Sequence, residues 1–374
     1  IEDCIDAVDV ETICILVGMM LLVAVIKNSG IFEYIAIKAA KIAKGRPWPI
    51  MVIFILITAV CSGMLDNVTT VLLVGPMTLA ITNILKVDPV PYIITQIMAS
   101  NIGGTATLIG DPPNIMIGSA AKLSFVDFIL NTGVATVFVI IVGLICMYFI
   151  YGRKLFVTDE SIAKVMQLDE NKAIKDRKLM HESVIVIILV ALCFIFHDQL
   201  GVQSCTVAIA AACIMLLIGG QEPEEIIADV EWPTILFFIG LFIVVGGMKK
   251  VGVITMLANG LISITHGNMV VTMMVILWVS AIVSSFLDNI PFVATLIPMI
   301  LTMQSEGMDV APIWWALSLG ACLGGNGTLI GASANVVLSG ISKNNGHPIT
   351  FGQYFKIGFP MMILSIIVCS VFLL

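Results

Sequence analysis

Two short stretches place ionisable and amide side chains inside otherwise apolar runs. Ser62-Gly63-Met64-Leu65-Asp66-Asn67-Val68-Thr69-Thr70 lies between Pro49–Leu56 and Val71–Val74, and Ser284-Ser285-Phe286-Leu287-Asp288-Asn289-Ile290-Pro291 repeats its pattern. An ionised carboxylate at membrane depth is costly and marks a functional site by default. Asp66 with Asn67, Thr69 and Thr70, and Asp288 with Asn289, offer carboxylate, amide and hydroxyl oxygens that suit a hard cation such as sodium, or a proton on the Asp itself. Sodium ligation falls to Asp66, Asn67, Asp288 and Asn289. The competing reading is that each Asp-Asn pair caps a helix in a water-facing turn.

Two glycine-rich segments supply a second set of groups. Gly103-Gly104-Thr105-Ala106-Thr107 leads through Asp111-Pro112-Pro113 to Asn114, and Gly324-Gly325-Asn326-Gly327-Thr328 leads through Ser333 to Asn335. Gly-Gly lets backbone approach a solute, and the polar Thr105, Thr107, Asn326, Thr328 and Ser333 are candidate ligands. Asn114 and Asn335 stand where a half-helix would begin, its positive dipole end turned toward an anionic or carbonyl group. Asp111, opposite Ala332, either holds a cation or caps the half-helix.

The chain that must position these groups has 374 residues, 59% hydrophobic and 11% charged, with a net charge of -7. Mean hydropathy is +1.09. Soluble domains carry roughly 25% charged residues, so the composition is that of an all-α polytopic membrane protein and excludes an aqueous enzyme or a nucleic-acid binder. Nine cysteines are scattered singly and four histidines show no zinc spacing, which reads as apolar filling and solvated loops. Gly324-Gly325-Asn326-Gly327 lacks the Gly-Lys that a phosphate loop needs. No metal or organic cofactor is called for beyond a coupling ion.

Apolar runs predict spans over Val10–Ile26, Trp48–Leu65 with a return to Leu85, Phe125–Tyr151, Ser183–Phe196, Val202–Ile218, Trp232–Met248, Met269–Leu287, Ile290–Met303 and Phe351–Leu373. Tyr92–Ala121 and the run from Ile313 read as crossings broken by the glycine-rich segments, the first break opening at Asn101. Ile31–Lys44 is amphipathic, as an interfacial helix would be, and Val251–Ile264 is its short counterpart. Residues 153–182, rich in both charges, read as a cytoplasmic linker between a first repeat (1–152) and a second (183–374).

A shift of 222 residues puts Thr12 on Thr234, Gly18 on Gly240, Lys27 on Lys249, Asp66 on Asp288, Asn67 on Asn289 and Pro76 on Pro298. With one residue removed, Gly103–Asn114 falls on Gly324–Asn335 at seven identical positions of twelve. With residues 153–181 inside, only Lys122, Lys249 and Lys250 of the 18 Lys and Arg fall outside. The positive-inside bias therefore makes the repeats inverted, each with a re-entrant hairpin and a discontinuous helix. Ile1 aligns with Pro223, while Ser183–Phe196 and Val202–Ile218 have no first-half partners, so about two helices are expected upstream in the natural protein. A stop codon just before the Ile1 codon would contradict that.

Leu65-Asp66-Asn67-Val68-Thr69-Thr70, Asn101–Asn114, Leu287-Asp288-Asn289-Ile290-Pro291-Phe292 and Gly320–Asn335 give the chain a resemblance to the ion transporter superfamily. That group holds arsenite exporters, D-type sodium/proton antiporters, divalent-anion/sodium symporters and citrate permeases, and the P protein branch is the nearest in pattern. The resemblance implies a scaffold, a moving transport domain with elevator-type alternating access, and a homodimer. The anion symporters carry Ser-Asn-Thr at the hairpin tips where Asp66 and Asp288 stand here, which bears against simple sodium-dicarboxylate uptake. The expectation is a secondary active transporter of a small polar or anionic solute, coupled to sodium or protons, in the cell membrane of a prokaryote. An arsenite/antimonite-type exporter or a sodium/proton antiporter is the alternative. An intramembrane aspartyl protease is the alternative from another class, with two aspartates sharing a proton, but it has no use for inverted repeats or Gly-Gly breaks.

Overall fold

The computed structural model describes residues 2–265 and 267–374, and among them there are helices and connecting turns but no strand. Ile1 and His266, used above in aligning the repeats and in the histidine count, lie outside the described residues. Eight of the described helices are long and apolar enough to cross a bilayer.

The first repeat runs through Val10–Lys27, the interfacial Ile31–Ile42, hairpin 1 (Pro47–Met64 and Asn67–Leu85), broken helix 1 (Val90–Thr105 and Pro112–Ala121), and a closing helix (Val134–Ile150) entered through the π-helical turn Ile129–Gly133. The second repeats the order: Trp232–Lys250, Val253–Thr265, hairpin 2 (Met269–Phe286 and Asn289–Ser305), broken helix 2 (Ala311–Gly324 and Ser333–Asn344), and Phe351–Leu373. Starts are set by local chemistry. Asp9 and Asn268 accept backbone N–H groups of the first turns they cap, Pro112 and Pro113 open a half-helix where no donor is needed, and Thr350 forms a capping box with Gln353.

The repeats are inverted and interlocked. Each inbound hairpin arm packs along the first half of its own broken helix, 47–64 on 90–105 and 269–286 on 311–324. Each return arm crosses to the second half-helix of the other repeat, 67–85 on 333–344 and 289–305 on 112–121. Both hairpin tips are thereby carried between the two broken helices.

Glycine makes the first contact possible. A Cβ on Gly103 would stand 2.1 Å from the Ala59 carbonyl oxygen, and one on Gly324 would stand 2.6 Å from that of Ala281. These glycines lie within helices that run to Thr105 and Gly324, so the first break spans only 106–111 and opens five residues later than expected at Asn101. Packing overrides the low helix propensity of Gly here.

The two spans without first-half partners are Arg177–Leu200 and Ser204–Ile218. The second packs closely along Val10–Lys27, where Gly18 meets the Ala208 backbone. Arg177–Leu200 begins six residues before the expected Ser183, because Asp176 accepts the N–H groups of Lys178 (2.8 Å) and Leu179 (3.0 Å) and caps a polar first turn.

The linker is folded rather than loose. Its helix Asp159–Met166 packs on hairpin 1, and Glu170 accepts from Lys41 of the interfacial helix at 2.5 Å. That lysine holds the Glu170 carboxyl below its ordinary value. The clasp is therefore fully formed above the ordinary carboxylate range and is lost as pH falls through the lowered value.

Gly103→Ala and Gly324→Ala should each destabilise by about 1–3 kcal/mol, since the added methyl meets backbone rather than a movable side chain. Gly143→Ala, whose nearest neighbour is the Met361 Cε at 4.0 Å, should be neutral or stabilising. Unfolding temperatures in detergent distinguish the three; equal shifts would contradict the close-approach argument.

Candidate functional site

The site is built from the two hairpin tips inward. Asp66 caps the return arm of hairpin 1: its Oδ1 accepts the Thr69 N–H at 2.8 Å and its Oδ2 the Thr69 hydroxyl at 2.5 Å. Asp288 caps the other, accepting the Ile290 N–H at 3.0 Å and the Ser333 hydroxyl at 3.0 Å. Both aspartates thus do what the capping reading required. Asp66 is buried and Asp288 half-buried. Their neighbours Asn67 and Asn289 are buried too.

Asp111 is different. It precedes the half-helix Pro112–Ala121 but makes no side-chain capping bond to it. Of its two readings, the cap is therefore absent. Its carboxylate is 1% exposed and receives the Asn289 amide at 3.4 Å on each oxygen, at the long end of hydrogen-bonding range. The Cys322 thiol also faces it, and the charges of Asp66 and Asp288 both reach it. Among the described residues, none of these three aspartates is ion-paired with a lysine, arginine or histidine.

Around the acids runs a web of buried amides and hydroxyls, doubled by the repeat. Asn114 Nδ2 donates to the carbonyls of Gly104 (3.3 Å), Thr105 (3.2 Å) and Thr107 (2.9 Å). Asn335 Nδ2 donates to those of Gly325 (2.7 Å) and Thr328 (2.8 Å). These are the carbonyls a broken helix leaves without intrahelical donors. The Thr107 hydroxyl donates to Gly63 O at 2.5 Å, and Thr328 makes the matching bond to Ser285 O. Ser62 and Ser284 donate to Ser100 O and Ala321 O, each at 2.6 Å. Gly104 and Gly325 lie against the Gly110 and Gly331 backbones, closing each loop on itself.

Besides Asn289 and Asp111, two further sets of bonds join the repeats. Asn101 Nδ2 donates to Asn335 Oδ1 (2.8 Å) and Asn326 Oδ1 (2.9 Å), while its own Oδ1 accepts from Asn67 (3.3 Å). From the other side, Ser318 Oγ (2.6 Å) and Cys322 Sγ (3.4 Å) donate to Asn114 Oδ1. The 221-residue shift puts Asn101 on Cys322, so these links are counterparts.

The expected residues therefore gather at one place but divide by task. Asn114, Asn335, Thr107, Thr328, Gly103 and Gly324 spend their polar atoms or their lack of a side chain on holding the breaks together. Thr105 donates to Asn101 O within its own helix. Asp111, Asn289, Asp66, Asp288 and Ser333 leave acceptor capacity, and the buried Thr70 hydroxyl has no hydrogen-bond partner among the described residues. Asn101, Ser318 and Cys322 were missed as site residues. Asn101 and Cys322, at matched places one turn or less before Gly-Gly, carried the signal.

Asn335→Asp keeps the shape but removes the donors to Gly325 O and Thr328 O, and should cost about 1–3 kcal/mol or more. Ser318→Ala removes one bond to Asn114 and should cost about 1 kcal/mol. Unfolding temperatures in detergent check the order; a milder Asn335→Asp would contradict the resealing role.

The chain is similar to known proteins. Residues 1–320 match the family described as citrate transporter, CitMHS. An uncharacterised transporter of Mycobacterium tuberculosis is 43% identical over 370 residues, which cover 98% of this chain and 86% of that protein. The human P protein is 32% identical over 450 residues, covering 99% of this chain but 54% of that protein, so the chain spans about half its length. The crystal structure of the Alcanivorax borkumensis YdaH transporter, described as having an unusual topology, superposes with a TM-score of 0.66 at 15% identity, over 96% of this chain and 84% of that one. The fold is thus that of a known transporter, and by its sequence the chain belongs to the CitMHS citrate transporter family, as a multi-pass membrane transporter.

Proposed function

We propose that the chain moves a small anionic solute by secondary active transport, with sodium or protons neutralising Asp111, Asp66 and Asp288 before the solute binds. The observation that carries this is Asp111: buried, without a capping role, without a basic partner, and facing the tip of hairpin 2. A carboxylate taken out of water with only a long amide hydrogen bond and no countercharge is strongly unfavourable, which favours its taking a proton or a cation. Three ionised aspartates whose charges reach one another would also repel an anion. Cation or proton first, anion second, is coupling in its simplest form.

The family name makes citrate and related carboxylates the first solutes to test. The unpartnered Thr70 hydroxyl and the Asn67 and Asn289 amides are the neutral groups that would meet carboxylate oxygens. Movement follows the interlocking. Because each return arm packs on the other repeat's half-helix, hairpins and broken helices travel as one body, elevator-fashion, past Val10–Lys27 and Ser204–Ile218. The setting is the cell membrane of a prokaryote, and the working form is a homodimer.

Counterflow in proteoliposomes under sodium or pH gradients, offering citrate, dicarboxylates, arsenite and amino acids, tests this. Asp111→Asn should lower the ion-driven rate by at least about tenfold, equivalent to about 1.4 kcal/mol, and flatten its ion dependence. Asp66→Asn and Asp288→Asn should act in the same direction but less, because both carboxylates already accept capping hydrogen bonds, which an Asn Oδ1 can still accept. Wild-type rates with unchanged ion dependence in all three would overturn the coupling assignment. Ion exchange with none of the solutes carried would favour the antiporter reading.

A further inference from the structure

A second concavity lies on the membrane-facing flank of repeat 1, and nothing in the transport reading uses it. It is a groove of about 410 Å³ between the inbound arm of hairpin 1, broken helix 1 and the closing helix, within the roughly 300–1,000 Å³ that holds small ligands. Val60, Met64, Gly103, Gly133, Val134 and Val137 line it. Its outer rim is open: Val60 is 68% exposed and Val137 55%. Both valines lie on helices long and apolar enough to cross a bilayer.

Its interior offers a polar solute nothing. The two hydroxyls that reach it are already committed, Thr107 to Gly63 O at 2.5 Å and Thr136 to Gly133 O at 2.7 Å. No charged side chain lines it.

The other repeat carries larger side chains at the matching place. Gly133 packs against the Ala106 carbonyl, where a Cβ would approach to 3.1 Å, and Gly358 packs against the Asn326 carbonyl in the same way, at 2.6 Å. The residue after Gly133 is Val134; the residue after Gly358 is Phe359. The 222-residue shift likewise puts Met64 on Phe286. Phe286 and Phe359 have ring centroids 6.2 Å apart, and Phe359 stacks on Phe355 at 4.9 Å. Repeat 2 thus places contacting aromatic rings, Phe286 still 45% exposed, where repeat 1 has Met64 and Val134. The π-helical turn Ile129–Gly133, a local departure of a kind often found at functional sites, borders the groove.

We propose that the groove is a binding site for one acyl chain of a membrane phospholipid, which takes the place that Phe286 and Phe359 fill in repeat 2. The groove is apolar inside and opens sideways along two helices long enough to cross a bilayer, so hydrocarbon of the bilayer is the occupant that its lining suits. Its floor at Gly63 is three residues from Asp66, so the chain packs directly beneath the tip of hairpin 1.

The test is photolabelling in liposomes of phosphatidylcholine carrying a diazirine in its acyl chain, with labelled positions read by mass spectrometry. Wild type should label Met64 and Val134 in excess over Phe149 and Val371, which face lipid elsewhere and are 56% and 74% exposed. Val134→Phe should lose that excess while Phe149 and Val371 keep their labelling. The mirror variant Phe286→Met/Phe359→Val should gain labelling beside Ser285, and keeps the proposal testable if Val134→Phe fails to fold. Labelling at Met64 and Val134 no greater than at Phe149, an excess that survives Val134→Phe, or no gain in the mirror variant would each overturn it.

Discussion

A helix broken at membrane depth frees carbonyls that neither water nor lipid can satisfy, and the rest of this structure depends on how those carbonyls are resealed. Asn114 and Asn335 reseal them, each turning one amide onto the backbone of the break it belongs to. Because their Nδ2 groups are used inward, their Oδ1 atoms are left to face the other repeat, where Ser318 and Cys322 meet one and Asn101 meets the other. The same residues therefore close the breaks and join the halves. Thr107 and Thr328 then tie each break to a hairpin, so that break, hairpin and opposite repeat are held by one continuous set of bonds.

Against that doubled framework, the proposed coupling chemistry falls at the departures from symmetry. Asp111 faces Ala332 in the alignment, Asn101 faces Cys322, and Thr69-Thr70 faces Pro291-Phe292. The first break thus carries an extra charge and hairpin 1 carries extra hydroxyls. Gene duplication gives a fold two equal halves; a binding site for one solute needs them unequal where the solute sits. The same logic separates the open groove beside Met64 and Val134 from its aromatic counterpart at Phe286 and Phe359.

Much of this was legible beforehand. Asp-Asn, Gly-Gly and Asn recur at a fixed spacing, and apolar composition alone does not produce that, so the repeat, the hairpins and the breaks could be placed from residues. What a linear pattern does not encode is which atom of a polar residue is already spent. Asn114 and Thr107 looked like ligands because they are polar and deep; their donors turn out to hold backbone. Asp66 and Asp288 looked like the coupling pair by symmetry, while Asp111 looked ambiguous; the cap bonds at the first two and the missing cap at the third reverse that emphasis. The length of the break escaped for a packing reason: Gly103 is read as a helix breaker alone and as a helix residue once Ala59 is pressed against it.

The central proposal is that Asp111, with Asp66 and Asp288, requires a cation or protons. It is tested most directly by the unfolding temperature of the purified protein at constant ionic strength, with sodium replaced by choline and with pH varied. A ligand that binds only the folded state raises stability with its concentration. The account predicts a rise with sodium or with proton concentration that is reduced or lost in Asp111→Asn, whose neutral amide no longer needs the ion. An unfolding temperature indifferent to both ions, or a dependence that Asp111→Asn leaves unchanged, would contradict it.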